Sequence, residues 1–329
     1  MRRAETVAAP IVRKAYRVSS IVRPTPIAPP ALRPGDAVGL IAPASPFDRP
    51  RFEAGVAFLK ALGFEPVWEE SLFEADAYLA GPDERRLAEL QRMARDPDIR
   101  AVLAVRGGYG TMRLLPDLDF AGIAGQPKIW IGFSDFTALH LAFQARTGLT
   151  TIHGPQLVTL PAAPAEAVER LLRLVARPEP LGTLFPEPAA CWRPGAVSGW
   201  LLPANLTLLC CLLGTAYLPD LKGAILCLED TGEAAYRIDR MLTHLELAGV
   251  FDRAAGLVAG QFTLNTDDPQ TYAALVERRF KEIALRHGLP LLGGAPFGHL
   301  DANYPVPVGV RARLDADAGE LTVLDPCVH

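Results

Sequence analysis

"KIWIGFSDFTALHLAF", residues 128–143, decides the fold. Its first six residues are a short apolar run ending in Gly132-Phe133, the pattern of a strand buried on both faces. The residues after it repeat apolar side chains at helical spacing, so the segment reads as a strand passing into an amphipathic helix. A small polar pair, Ser134-Asp135, stands at the joint. Such a pair either caps the helix, satisfying its unpaired N–H groups, or holds a nucleophile at the sheet edge, where a helix N-terminus stabilises negative charge. The motif is not G-x-S-x-G, because Phe136 stands in place of the second glycine.

The same strand–helix order extends on both sides. "AVGLIAPAS" is a strand with a turn-rich end, and "RFEAGVAFLKALGF" puts Phe52, Val56, Leu59 and Leu62 on one helical face before Gly63 stops it. "ERRLAELQRMARD" is a second helix, followed by the run "IRAVLAV", which breaks at "RGGYG". Strands alternating with helices imply a parallel sheet with right-handed crossovers, and ligands bind at the carboxyl ends of such strands. Both "RGGYG" and "GFSD" sit at strand ends. The N-terminal domain is placed at 35–160.

Between 161 and 195 the texture changes to one helix pattern, with Val168, Leu171, Leu172 and Val175 on a face, and then a proline-spaced stretch, read as a linker. The C-terminal domain, 196–329, is expected to be a smaller α/β unit. Its strands are "VSGWLL", "GAILCLED" and "GLVAGQF", its helices lie at "NLTLLCCLLG", "YRIDRMLTHLELAG" and 268–287, and "VGVRARLDA" with "GELTVLD" close it as an antiparallel pair. The first 34 residues hold seven Arg or Lys, one acid and six prolines, and read as an extended basic arm with no signal-peptide core.

Composition narrows the function. Of 329 residues half are hydrophobic and 21% charged, so the chain can bury a sizeable core. A formal net charge of −4 gives no electrostatic reason for a nucleic-acid partner, and no apolar run approaches the length of a membrane span. Cys191, Cys210, Cys211, Cys227 and Cys327 form no C-x-x-C; they read as buried thiols in a reducing compartment, hence a cytoplasmic protein.

A serine hydroxyl needs a base. Of six histidines, His140 and His244 lie in helix patterns, His287 is near a helix end and His329 is terminal, leaving His153 and His299. His299 sits in the turn-rich loop "GHLDANYPVPVG", where it is either a base aimed into a cleft or an ordinary loop histidine. Glu229 and Asp230 end the strand "GAILCLED"; helix capping accounts for Asp230 or Thr231 with Glu233 in the first turn, but less well for Glu229. In "RGGYG" the glycines let backbone N–H groups approach a ligand, and Arg106 can hold a carboxylate, although a plain tight turn is the simpler account. The glycine spacing is wrong for a dinucleotide fingerprint.

Taken together, "VRGGYGTMRLLPDLDF", "PKIWIGFSDFTALHLAF" with "IHGP", "LEDTGEAAYRIDRMLTHLELAG" and "FGHLDANYPVPVG" resemble the LD-carboxypeptidases of peptidase family S66, a group that includes the microcin C immunity peptidases. The resemblance spans about 31–325. It implies a flavodoxin-like N-terminal domain, a smaller C-terminal domain, commonly a homodimer, and a serine peptidase without metal or cofactor. Carried over, it makes Ser134 the nucleophile, His299 the general base and acid, and Glu229 the residue orienting that histidine. The N–H groups of Gly107 and Asp135 would form the oxyanion hole, with Arg106, Gly108 and Asn205 at the substrate. The substrate it implies is a murein tetrapeptide, cut between diaminopimelate and a C-terminal D-alanine. The chain has Pro203-Ala204-Asn205-Leu206 where relatives often carry Gly-Gly-Asn-Leu.

Three other readings compete. An immunity-type member would cut an aminoacyl-nucleotide amide, with an aromatic such as Trp192 stacking on the base, although the 37 residues between Pro155 and Arg193 leave little room for a recognition loop. A two-domain binding protein would need no Ser, His and Glu together. A metal-dependent amidase using His299, Glu229 and Asp301 lacks paired-histidine spacing.

Overall fold

The structure, a computed structural model, describes residues 23–329; the basic arm up to residue 22 lies outside them. In chain order the first half holds β1 (Ala37–Ile41), α1 (Arg49–Ala61), β2 (Glu65–Val67), α2 (Asp83–Arg95), β3 (Ile99–Ala104), α3 (Phe120–Gly125), β4 (Ile129–Gly132), α4 (Thr137–Arg146) and β5 (Thr151–His153). α5 (Ala165–Ala176), β6 (Gly182–Thr183) and β7 (Ala190–Arg193) follow. The second half holds β8 (Ala196–Asn205), α6 (Leu206–Leu212), β9 (Ala224–Glu233), α7 (Ala235–Leu247), β10 (Gly256–Leu264), α8 (Pro269–His287), β11 (Leu291–Gly293), β12 (Val306–Val308), β13 (Arg311–Asp315) and β14 (Glu320–Val323).

The first sheet runs β2-β1-β3-β4-β5 in parallel, the flavodoxin-like order, and β12 adds antiparallel to β5. Strand order reverses between β1 and β3. The loops leaving them, 42–46 and 106–110, meet there through the Ser45 N–H on the Gly107 carbonyl (3.3 Å). The second sheet runs β6-β14-β13-β8-β9-β10-β11-β7. Its centre, β8 to β11, is parallel and nearly all apolar where covered, and its flanks are antiparallel.

Several expectations change in three dimensions. α4 is buried on every side from Thr137 to Ala145, since it lies against the first sheet on one side and α6 and β8 on the other. A helix so placed needs partners for its polar members. His140 bonds Thr151 and the Gly132 carbonyl, and Gln144 donates to Leu149 O. The proline-spaced segment is packed: α5 buries Val168, Leu171 and Val175 under the first sheet, while β6 and β7 become opposite edges of the second. Residues 23–34 are tied down too, with Ile27 bridging Leu149 and the Ala31 N–H on the His329 carbonyl. The thiols divide: Cys227 and Cys327 are buried, but Cys211 is exposed because α6 turns Leu206, Leu209 and Leu212 inward, and Cys191 is exposed on edge strand β7. Among the described residues no helix is long and apolar enough to cross a membrane.

Candidate active site

Ser134 is not a helix cap. It opens a short 3₁₀ turn, Ser134–Phe136, that runs into α4, and neither helix start takes a side-chain cap bond. Its φ of +61° is left-handed, a conformation that costs a residue with a Cβ about 1–3 kcal/mol and persists where surrounding structure imposes it. Gly132 makes the turn possible, since a Cβ there would lie 2.6 Å from the Phe136 ring. The strained turn lifts residue 134 off the end of β4.

His299 arrives from the loop after β11. Gly298, at φ +107°, presses this loop onto β9 so closely that a Cβ would lie 2.8 Å from both Cβ and Oε2 of Glu229. The loop is pinned by Gly298 N–H donating to Asn303 Oδ1 (2.8 Å). His299 Nδ1 then meets Glu229 Oε2 at 2.6 Å. With Glu229 ionised, Nδ1 carries the proton and Nε2 is left as the basic nitrogen. The imidazole packs on Phe133 (centroids 4.9 Å), so His299 stands beside the residue preceding Ser134.

Glu229 is fully buried. Burial pushes its carboxyl above the ordinary range, against the pull of His299 and, more weakly, Asn205. β9 does not end here, as the helix-capping account required: paired with β10, it runs on to Glu233, and α7 starts at Ala235. Asp230 instead accepts bonds from Asn205 Nδ2 (3.0 Å), Thr207 N–H (2.9 Å) and Thr207 Oγ1 (2.8 Å).

Other expected residues fall around this centre. Asp135 is buried, and its carboxylate accepts the Thr111 N–H (2.8 Å), which ties the end of the glycine loop to the serine turn; burial raises its pKa despite Thr111. The Gly107 backbone passes directly over Ser134, but its N–H is donated to Gln156 Oε1 (2.8 Å). Gly108, at φ +124°, lies against Ser45, and Arg106 is exposed with its guanidinium on the Pro46 carbonyl (2.7 Å). Asn205, expected at the substrate, is buried, with Nδ2 shared by Glu229 (3.3 Å) and Asp230 and Oδ1 capping α6 through Leu208 N–H. Its own N–H reaches Thr137 Oγ1 (3.1 Å), so it links the helix that follows Ser134 to the Glu229 carboxylate.

The alternative base, His153, is fully buried among Phe133, His140 and Phe297, with neither ring nitrogen hydrogen-bonded; burial holds it well below the usual imidazole range. Sequence reasoning missed Gln156 and Phe133 as parts of the site. Nothing local in "IHGPQL" or "IGFSD" singles them out, because their partners come from other strands.

Comparison with known proteins identifies the family of the chain. Residues 38–154 match the family model of the LD-carboxypeptidase N-terminal domain (peptidase S66), and residues 198–314 match that of its C-terminal domain. The chain is 37% identical over 290 residues to the probable murein peptide carboxypeptidase of Bacillus subtilis, covering 87% of this chain and 91% of that one. It is 38% identical over 291 residues to the murein tetrapeptide carboxypeptidase of Pseudomonas aeruginosa, covering 85% and 93%. Among solved structures, the microcin C7 self-immunity protein MccF superposes with a TM-score of 0.85 at 25% identity, over 92% of this chain and 100% of that one. The chain belongs to the LD-carboxypeptidases of peptidase family S66.

Proposed function

We propose that this protein is a serine carboxypeptidase that releases a C-terminal D-amino acid from murein tetrapeptides, working in the cytoplasm as a homodimer. The observation that carries the reading is the 2.6 Å bond between His299 Nδ1 and the buried Glu229, set beside a serine held at positive φ. Ser134 Oγ attacks the carbonyl of the L-centre while His299 Nε2 takes its proton. Charge on the tetrahedral oxygen is met by the Asp135 N–H and the glycine loop. Gly107 lends its own N–H only by sharing it with Gln156. His299 then protonates the departing D-amino acid, and water repeats the cycle on the acyl-enzyme.

The likeness to MccF favours a second reading, cleavage of an aminoacyl-nucleotide amide. Trp192 argues against it here. Its indole covers Gly293 and packs on Phe280 (centroids 6.4 Å), under Lys281, which leaves it engaged in packing.

The test is release of free D-alanine from a tetrapeptide ending in D-alanine, followed by mass spectrometry, with Ser134→Ala in parallel. Release by the parent and none by the folded variant is expected. Equal release by both overturns the nucleophile, and release by neither, with turnover of an aminoacyl-sulfamoyl nucleotide, selects the second reading.

A further inference from the structure

A Cβ placed on Gly107 would lie 2.8 Å from Ser134 Cβ and 2.9 Å from Oγ, so the glycine loop and the serine turn are set against each other at close range. One buried side chain spans them. Gln156 Oε1 accepts the Gly107 N–H at 2.8 Å, and Nε2 donates to the Phe133 carbonyl at 2.9 Å. These partners allow a single orientation of the amide, because an N–H requires the oxygen and a carbonyl requires the NH₂. Gln156 is itself anchored: its N–H donates to Thr159 Oγ1 (3.0 Å), and its carbonyl accepts the N–H groups of Thr159 (2.9 Å) and Leu160 (2.8 Å). Leu157 and Val158 bond the carbonyls of Ala104 and Val105 where β3 ends. Phe133, whose carbonyl the amide holds, also carries the ring against His299.

We infer that Gln156 is a positioning residue for the reaction: its carboxamide fixes the glycine loop over Ser134 at the height the tetrahedral intermediate requires. The inference rests on the serine-peptidase reading. Misplacing a catalytic group by about 1 Å costs on the order of 10²-fold in rate, and the loss belongs in kcat, since the amide is buried and spends both its bonds on backbone.

The experiment compares Q156L and Q156E with the parent on a tetrapeptide ending in D-alanine, and measures the labelling rate of Ser134 by a fluorophosphonate. Q156L, with an unchanged circular dichroism spectrum, is expected to lose roughly 10²-fold in kcat with KM within about threefold. In Q156E an ionised carboxylate still accepts from Gly107 but faces the Phe133 carbonyl without a proton to donate. Protonated, it restores both bonds. The activity of Q156E relative to the parent should therefore rise as pH falls, which a purely structural role would not produce. An unchanged or raised kcat in folded Q156L overturns the inference; if Q156L does not fold, a pH-independent ratio for Q156E does so. If the parent releases no D-alanine, the substrate reading falls, and labelling decides: at least tenfold slower labelling of Q156L supports the inference and equal rates overturn it. A parent that is not labelled overturns both.

Discussion

At the scale of single residues, the site is built by glycines that permit contact and by polar groups that fix it. Gly107, Gly132 and Gly298 stand where a Cβ would strike Ser134, Phe136 or Glu229, so the backbones of three strand ends close on one point. Glu229 separates stability from activity. Burial raises its carboxyl pKa, so its stabilising contribution is fully present below the ordinary carboxylate range and is lost as pH rises through the raised value. Glu229→Gln removes that penalty at neutral pH but no longer enforces the imidazole tautomer. It is expected to melt no lower than the parent at pH 7.5 and to lose about 10³–10⁴-fold in kcat, as checked by thermal unfolding and D-alanine release. A large drop in melting temperature would show that the carboxylate–imidazole hydrogen bond holds the fold together. Ser134, Glu229 and His299 could be singled out as candidates from residue type and strand-end or loop position together with the family resemblance. Gln156 could not, because its role lies in two bonds to segments 23 and 49 residues away.

At the scale of elements, apolar periodicity located most strands and helices but misjudged where pairing outlasts the apolar run. β9 continues through Asp230, Thr231 and Glu233 because β10 supplies partners beyond the hydrophobic stretch. Besides apolar packing, a charge cluster joins α7 to α8. Glu246 is bound by Arg279 (2.8 Å), His287 (3.1 Å) and Arg286. Burial alone would raise its carboxyl; the three partners outweigh that and hold it down at about 2. Its contribution is therefore present above the ordinary value of 4.5 and lost as pH falls towards about 2. Glu246→Gln is expected to cost about 2 kcal/mol at pH 7, with the difference shrinking towards pH 3 in denaturant unfolding. A difference independent of pH would mean that packing, and not the charge, is what the substitution removes. α2 shows the opposite case on the same physics: burial raises Glu89 to about 7 while its Oε2 holds the Ala42 N–H (2.9 Å) of the loop beside the glycine turn.

At the scale of the whole molecule, the two halves share a sheet and their apolar clusters. β12, from beyond residue 300, completes the first sheet by pairing with β5, and each of the two apolar clusters draws side chains from both halves. One cooperative unfolding transition is expected by circular dichroism and by tryptophan fluorescence, with coincident midpoints; two separated transitions would show independent domains. The sequence by itself determined the parallel α/β class, the strand-end placement of the candidate residues Ser134 and Glu229, and the family, because local periodicity and short ordered motifs carry that information. Only the tertiary structure decided which backbone amides are already engaged, that Asn205 supports Glu229, that the proline-spaced segment is packed, and that Gln156 spans the loops. Those outcomes depend on pairings between residues far apart in the chain, which exist only when the sheets close on each other.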